Sequence, residues 1–366
     1  MTVHGEVQPG YEGVREAFGD IIASTTGGAA FSAFREGVLV VELWGGAAAD
    51  GVPWTEDTRT VLFSGTKGVV ATVLALLTAR GLLDPDEPVA RYWPQFAMAG
   101  KENVPVSQVL SHTVGLPYVE PDLPMLDNEA NAHALAAQRP LWTPGTRVAY
   151  HALTYGYLAT ALARQVTGED LGALVRTLLA EPYGLDLRLG TPPEVPVATL
   201  RRAPGYRIST FLQDAERRRI VERMYRGLLD SGDSMNSPEY RGATLAAGGA
   251  VGTATAMARL YDLLRSGALV PPDVLARATR TWSEGIDAIN DRPLRFGLGF
   301  ELADPIGTYG PADADPGAFG HSGAGGGRHG AWPGRGVSFS FVTNELQAED
   351  VDKRAPALLA ALHEAA

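Results

Sequence analysis

Ser64 and Lys67 stand three residues apart in Phe63-Ser64-Gly65-Thr66-Lys67-Gly68, at the head of an apolar run that reaches Leu77. If that run is a helix, positions i and i+3 share a face and the hydroxyl meets the amine. A serine in the first turn also lies where free N–H groups and the helix dipole favour negative charge. Lowering the amine pKa from ~10.4 to ~7 takes roughly 4–5 kcal/mol, within reach of burial plus a neighbouring cation. Such a pair activates a serine nucleophile without histidine. The blander alternative is an N-capping serine and a lysine that snorkels to solvent. Lysine is scarce, however: of 31 Lys plus Arg, only Lys67, Lys101 and Lys353 are lysine. A guanidinium cannot give up its proton near neutral pH, so each lysine is a possible base that the arginines are not. Lys101 and Lys353 have polar neighbours and read as solvated, whereas Lys67 lies in an apolar stretch.

Two further segments carry chemistry-bearing residues. In Thr143-Pro144-Gly145-Thr146-Arg147-Val148-Ala149-Tyr150-His151-Ala152, a Pro-Gly turn brings Tyr150 to the entrance of a helix expected over 152–166. Position alone leaves two readings, a buried aromatic at a helix entry or a phenol that shuttles protons near Ser64 and Lys67. Phe319-Gly320-His321-Ser322-Gly323-Ala324-Gly325-Gly326-Gly327 resembles a nucleophile elbow and, further on, a dinucleotide fingerprint, but both need a helix immediately afterwards. The chain instead continues with glycines and then a strand pattern at 336–343. The segment therefore reads as a strand bearing His321-Ser322-Gly323, whose N–H groups could face an oxyanion, or as a flexible glycine loop. His112 reads as a brace for the turn after it. Trp44, Tyr118, Trp142 and Trp332 read as core or pocket aromatics.

The elements that position these residues are set by periodicity. Residues 11–24 predict a helix, and 29–35 and 38–44 a hairpin turning at Glu36-Gly37. Residues 60–63 predict a short strand and the stretch after Ser64 a long helix. From about 84 to 230 the chain is rich in proline turns and helical patterns (106–112, 128–138, 152–166, 170–180 and 211–229), with no convincing strand. The last of these would place Phe211, Leu212, Ile220, Met224 and Leu228 on one side. A helix at 254–266, strands at 294–302 and 336–343, and a helical tail at 353–365 complete the chain. Strands near both termini joined by short turns favour an antiparallel sheet built from both ends of the sequence. The expected class is α+β, with residues 1–83 and 231–366 forming a sheet domain flanked by helices and 84–230 an all-helical second domain.

Composition narrows the function classes. The 366 residues are 45% hydrophobic and 20% charged, an ordinary globular make-up. The net charge of −11 without a basic run argues against nucleic acid and anionic membranes as partners. The absence of cysteine excludes disulfides, thiolate metal sites and cysteine nucleophiles. The seven histidines show no ligand spacing, so neither a metal nor another cofactor is expected. With no basic-then-apolar leader at the start, the expectation is a cytoplasmic protein.

Taken in order and spacing, Ser64-x-x-Lys67, Tyr150 with His151-Ala152, and His321-Ser322-Gly323 resemble the three motifs of the serine β-lactamase and penicillin-binding-protein superfamily. The likeness is to the family VIII carboxylesterases, the esterase branch similar to class C β-lactamases. It extends through Leu43-Trp44-Gly45-Gly46, Leu110-Ser111-His112-Thr113-Val114-Gly115-Leu116-Pro117 and Phe319-Gly320-His321-Ser322-Gly323-Ala324-Gly325-Gly326, from about residue 15 to 345. The resemblance implies that Ser64 is the acylated nucleophile, that Lys67 assists its deprotonation, and that Tyr150 is general base and acid. It implies an oxyanion hole from the N–H groups of Ser64 and Ala324, with His321-Ser322-Gly323 in the place of a Lys-Thr-Gly triplet at the substrate.

Three departures stand out: Ala152 where β-lactamases carry asparagine, His321 where they carry lysine, and Arg328-His329-Gly330 after the glycines, where the esterases continue with apolar residues. The first two suit neutral esters better than β-lactams. The expectation is a serine carboxylesterase acting on small-molecule esters through an acyl-enzyme. An acyltransferase on the same scaffold, a β-lactamase or D-Ala carboxypeptidase, and a non-catalytic binding module are the alternatives.

Overall fold

The structure, a computed structural model, describes residues 2–207, 214–228 and 234–366. Phe211 and Leu212, placed by pattern on the charged helix, lie outside the described residues; Ala215–Met224 is helical. Antiparallel neighbours run across one sheet in the order Val3–Val7, Val38–Ala49, Gly28–Arg35, Val337–Thr343, Arg328–Trp332, Phe319–Ser322, Glu301–Leu302, Pro293–Phe296, Ser283–Ile286. The hairpin turns at Glu36 and Gly37, both at positive φ as a two-residue turn demands.

Alternation along the strands explains why helices cover both faces. Phe31, Ala33, Phe339 and Phe341 join a core with Val14, Phe18, Ile22, Leu358 and Leu362, so the helices Glu12–Ser24 and Arg354–Ala365 pack there. The intervening Ser32 and Ser338 bond Thr255 (2.8 Å) and the Ala258 carbonyl (2.9 Å) of the helix Ala254–Arg265 on the other face. Gly65–Ala79 belongs to that second layer too, touching the strand Phe319–Ser322. It is buried from Gly65 to Leu77, apolar all round but for Thr66, Lys67 and Thr72, as befits a central helix.

Three differences from the sequence reading have physical causes. The segment 84–230 is not free of strands: Leu187–Leu189 pairs with Ala250–Gly252, which also pairs Thr60–Val61, and Arg201–Arg202 runs beside Glu345–Leu346. These strands are too short to show alternation. Arg328–Trp332, read as glycine-rich loop, is a full strand between Phe319–Ser322 and Val337–Thr343. Lys101 is not solvated. Its ammonium is buried and donates to the carbonyls of Met98 (2.8 Å) and Gln138 (2.5 Å).

Gly65 sits where the nucleophile-bearing helix meets the sheet. A Cβ there would lie 2.5 Å from the His329 ring, which a bond from Nδ1 to Ser340 Oγ (2.8 Å) holds in place. We expect Gly65→Ala to destabilise the protein by ~1–3 kcal/mol through overpacking and to lower ester turnover by displacing Ser64. An unchanged thermal midpoint together with unchanged turnover contradicts this.

Candidate active site

Ser64 follows Phe63, a non-glycine residue held at φ 48°, and directly precedes the helix Gly65–Ala79. Leu62, bonded through its amide to the Ala250 carbonyl (2.9 Å), anchors the turn from the small sheet. The backbone thus spends conformational strain to set this serine at a helix mouth. Its hydroxyl makes no cap bond to the helix, which removes the N-cap reading. Instead Lys67 Nζ lies 3.2 Å from Ser64 Oγ, fully buried and unable to snorkel.

The surroundings of Lys67 define its proton. Nζ donates to the carbonyls of Ala152 and Ala247, each at 2.8 Å. Carbonyl oxygens only accept, so these bonds take two N–H groups, and another tetrahedral position faces Ser64. Burial pulls the amine down to about 7, with the Glu301 charge opposing. Near neutrality a substantial fraction is therefore free amine, with a lone pair available to Ser64. The turn at Ala246-Ala247 reaches this position because Gly156 lets it close on the helix Thr154–Thr167; a Cβ at Gly156 would meet the Ala247 amide at 2.5 Å.

Tyr150 closes the third side. It lines the same cleft as Ser64, and Lys67 Nζ lies 4.9 Å from its ring centroid. Burial pushes the phenol well above its ordinary value, although the Ser64 hydroxyl and Arg292 pull the other way, so Tyr150 rests as a neutral donor. The three residues singled out by type and spacing do converge.

His112 holds this segment rather than the turn after it. At φ 62° it accepts the His151 amide on Nδ1 (3.1 Å), its carbonyl accepts the Ala149 amide (3.1 Å), and its ring packs 5.1 Å from that of Tyr150. His151 is locked as the Nδ1–H tautomer. It donates to the Ala149 carbonyl (2.7 Å) and accepts the Leu116 amide on Nε2 (2.9 Å).

The strand Phe319–Ser322 brings in the glycine-rich segment, which settles it as strand and turn. Gly323 runs so close that a Cβ would lie 2.6 Å from the Leu62 carbonyl. Ala324 comes next, on the rim of the cleft beside Ser64. Among the described residues, neither the Ser64 nor the Ala324 amide has an acceptor. His321 is buried, donates from Nδ1 to the Ser322 carbonyl (2.8 Å), and is held down to about 4 chiefly by that burial. It is neutral at pH 7, so this position supplies no cation.

Sequence reasoning missed Glu301 and Arg292. Glu301 accepts the Ser322 amide (2.9 Å) and the Tyr309 hydroxyl (3.0 Å), tying the strand to its neighbour. Burial opposes its ionisation, but His321, Arg292, the Ser322 amide and Arg328 outweigh that and hold it at about 2. Arg292 lies 5.8 Å from the Tyr150 ring centroid and pairs with Glu349 at 2.7 Å. Both are single residues without a local pattern. Of the four aromatics read as core or pocket, Trp332 is buried in the core, and Tyr118 packs in the same cluster as Tyr150.

These shifts make the fold acid-sensitive. Glu301 is depressed from 4.5, so its contribution is present above pH ~4.5 and is lost as pH falls toward 2. His151 and His321 are depressed from 6.5 to about 4, so the unfolded chain binds protons first as pH drops below 6.5. Both act in the same sense. The thermal midpoint is expected to fall steadily from pH 7 to pH 4, and a flat profile over that window contradicts the assignment.

The sequence pattern of the beta-lactamase family matches residues 14–363, nearly the whole chain. This chain belongs to the beta-lactamase family. It is 35% identical to the Esterase/beta-lactamase LipL of Mycobacterium tuberculosis (strain ATCC 25618 / H37Rv), over 94% of this chain and 83% of that protein. A penicillin-binding-protein homologue from Caulobacter crescentus superposes with a TM-score of 0.92 at 34% identity, and a family VIII carboxylesterase with 0.90 at 30%; both alignments cover all of both chains. The antiparallel sheet flanked by helices is thus the beta-lactamase fold, and the chain is a beta-lactamase-like serine hydrolase.

Proposed function

We propose that this beta-lactamase family member is a carboxylesterase that works through an acyl-enzyme on Ser64. The observation that carries the reading is the Lys67 amine, tied to two carbonyls with its remaining valence at Ser64 Oγ. In this reading the free amine takes the Ser64 proton as Oγ attacks the ester carbonyl. The oxyanion forms where the Ser64 and Ala324 amides lie free, at the positive end of a helix. Tyr150, a neutral phenol, gives its proton to the departing alkoxide and recovers one from the Lys67 ammonium. Water then enters and gives a proton to the amine as it attacks the acyl carbonyl, and the ammonium passes that proton to the departing Ser64 Oγ, which frees the acid and restores the amine.

Two arms meet at Ser64. One is apolar, walled by Phe63, Leu153, Leu228, Met235 and Tyr240. The other is lined mainly by polar residues, Tyr150 among them. The leaving alcohol has to sit beside the group that protonates it, so the acyl chain occupies the apolar arm and the alcohol the polar one. Ala152 and the neutral His321 suit an uncharged ester centre, and the similarity to LipL and to a family VIII carboxylesterase points the same way. The test is mass spectrometry after brief exposure to 4-nitrophenyl butyrate. A butyryl adduct on the peptide carrying Ser64 supports the reading, and turnover with the adduct elsewhere, or no turnover, overturns it. Product analysis with added alcohols separates hydrolysis from acyl transfer.

A further inference from the structure

The polar arm carries a cation that the reaction above does not use. Three arginines line it, in a chain whose net charge is −11. Arg207 is paired with Asp350, and Arg292 with Glu349 at 2.7 Å. The remaining carboxylate on the wall, Asp352, is paired with Arg354 at 2.7 Å. Arg328 differs. Its Nη1 donates to the Gly327 carbonyl at 3.0 Å, and among the described residues no carboxylate comes within 4 Å of it. Glu301 is near enough to feel its charge, but that carboxylate is buried and already engaged by the Ser322 amide and Tyr309. A guanidinium has five N–H donors in a planar fork matched to a carboxylate, and this one uses little of that capacity within the protein.

Its place is set by sheet register rather than by a loose loop. Arg328 opens the strand Arg328–Trp332 and stands directly across from Ser322. The Gly325-Gly326-Gly327 turn joins the two, with Gly325 and Gly326 at positive φ. A cation fixed in this way beside the seat of the leaving alcohol selects for a negative charge on that alcohol. The neutral His321 leaves this selection to Arg328.

We propose that Arg328 is a carboxylate-recognition residue, and that the preferred substrates are esters of a short apolar acid with an alcohol or phenol bearing a carboxylate. The assignment of the arms rests on the acyl-enzyme reading above, so the test separates the two. The full chain is assayed on 4-(butyryloxy)benzoate and on the neutral 4-(butyryloxy)benzamide. The quantity read is the ratio of their kcat/KM values, which a reduced folded fraction does not move. Wild type is expected to favour the benzoate. Arg328→Gln is expected to lower the ratio about tenfold or more, the scale of one charge-assisted hydrogen bond, and Arg328→Lys to retain part of it. An unchanged ratio in Arg328→Gln, or a wild type that prefers the benzamide, overturns the proposal. Calorimetric binding of 4-hydroxybenzoate against 4-hydroxybenzamide gives the second readout. Benzoate binding that depends on Arg328 without turnover of either ester upholds the subsite and overturns the hydrolase reading alone. Benzoate binding indifferent to Arg328 overturns the subsite.

Discussion

Ser64→Ala is expected to lower kcat/KM for 4-nitrophenyl butyrate by at least ~10⁴-fold, the scale seen when a covalent nucleophile is removed. The substitution deletes the hydroxyl that Lys67 addresses, in the cleft that Tyr150 lines. Ser64 makes no cap bond, so the helix Gly65–Ala79 loses no structural contact from the hydroxyl. The thermal midpoint should therefore stay close to wild type while activity vanishes. Retained turnover with a normal midpoint would falsify the assignment of Ser64 as nucleophile, whereas a collapsed midpoint would make the hydroxyl a structural group.

Lys67→Arg is expected to cost ~10³-fold, within the range for removing a general base. The arginine keeps positive charge and donors but cannot hold a lone pair near pH 7. It must also fit a fully buried site whose two carbonyls are spaced for an amine. Lys67→Met, with no charge and a slimmer end, controls for crowding and should be equally inactive. The wild-type pH profile carries the same signature. Burial sets the amine at about 7, and only the free amine can accept the Ser64 proton. Hence kcat/KM should rise about tenfold per unit below that value and level off above it. A profile flat from pH 5.5 to 8, or wild-type turnover by Lys67→Arg, removes Lys67 from the chemistry.

Locality decides which features were legible in the sequence and which were hidden. Ser64 and Lys67 share one helical turn, so type, spacing and apolar context were enough. The hairpin over 28–49 and the helices at 12–24 and 254–265 were legible because their periods run for many residues. Tyr150 was legible as a candidate only; its place beside Ser64 depends on packing from another part of the chain. His112 was legible as a brace but not for what it braces, and Glu301 and Arg292 gave no signal, because all three work through contacts that packing creates and none belongs to a repeating pattern. Lys101 misled because polar neighbours describe the adjacent chain, not the Gln138 carbonyl that reaches it from 37 positions away. The glycines before Arg328 looked like loop because a tight turn between two strands and a flexible tether share the same composition.

The burial of Lys101 has a practical corollary. With Lys67 sealed as well, Lys353 is the one lysine whose side chain reaches the surface. Reagents that couple to lysine amines, whether dyes, cross-linkers or activated supports, will therefore decorate the folded protein at a single side chain. That position adjoins Asp352 on the wall of the polar arm, so a group coupled to this side chain stands beside that arm.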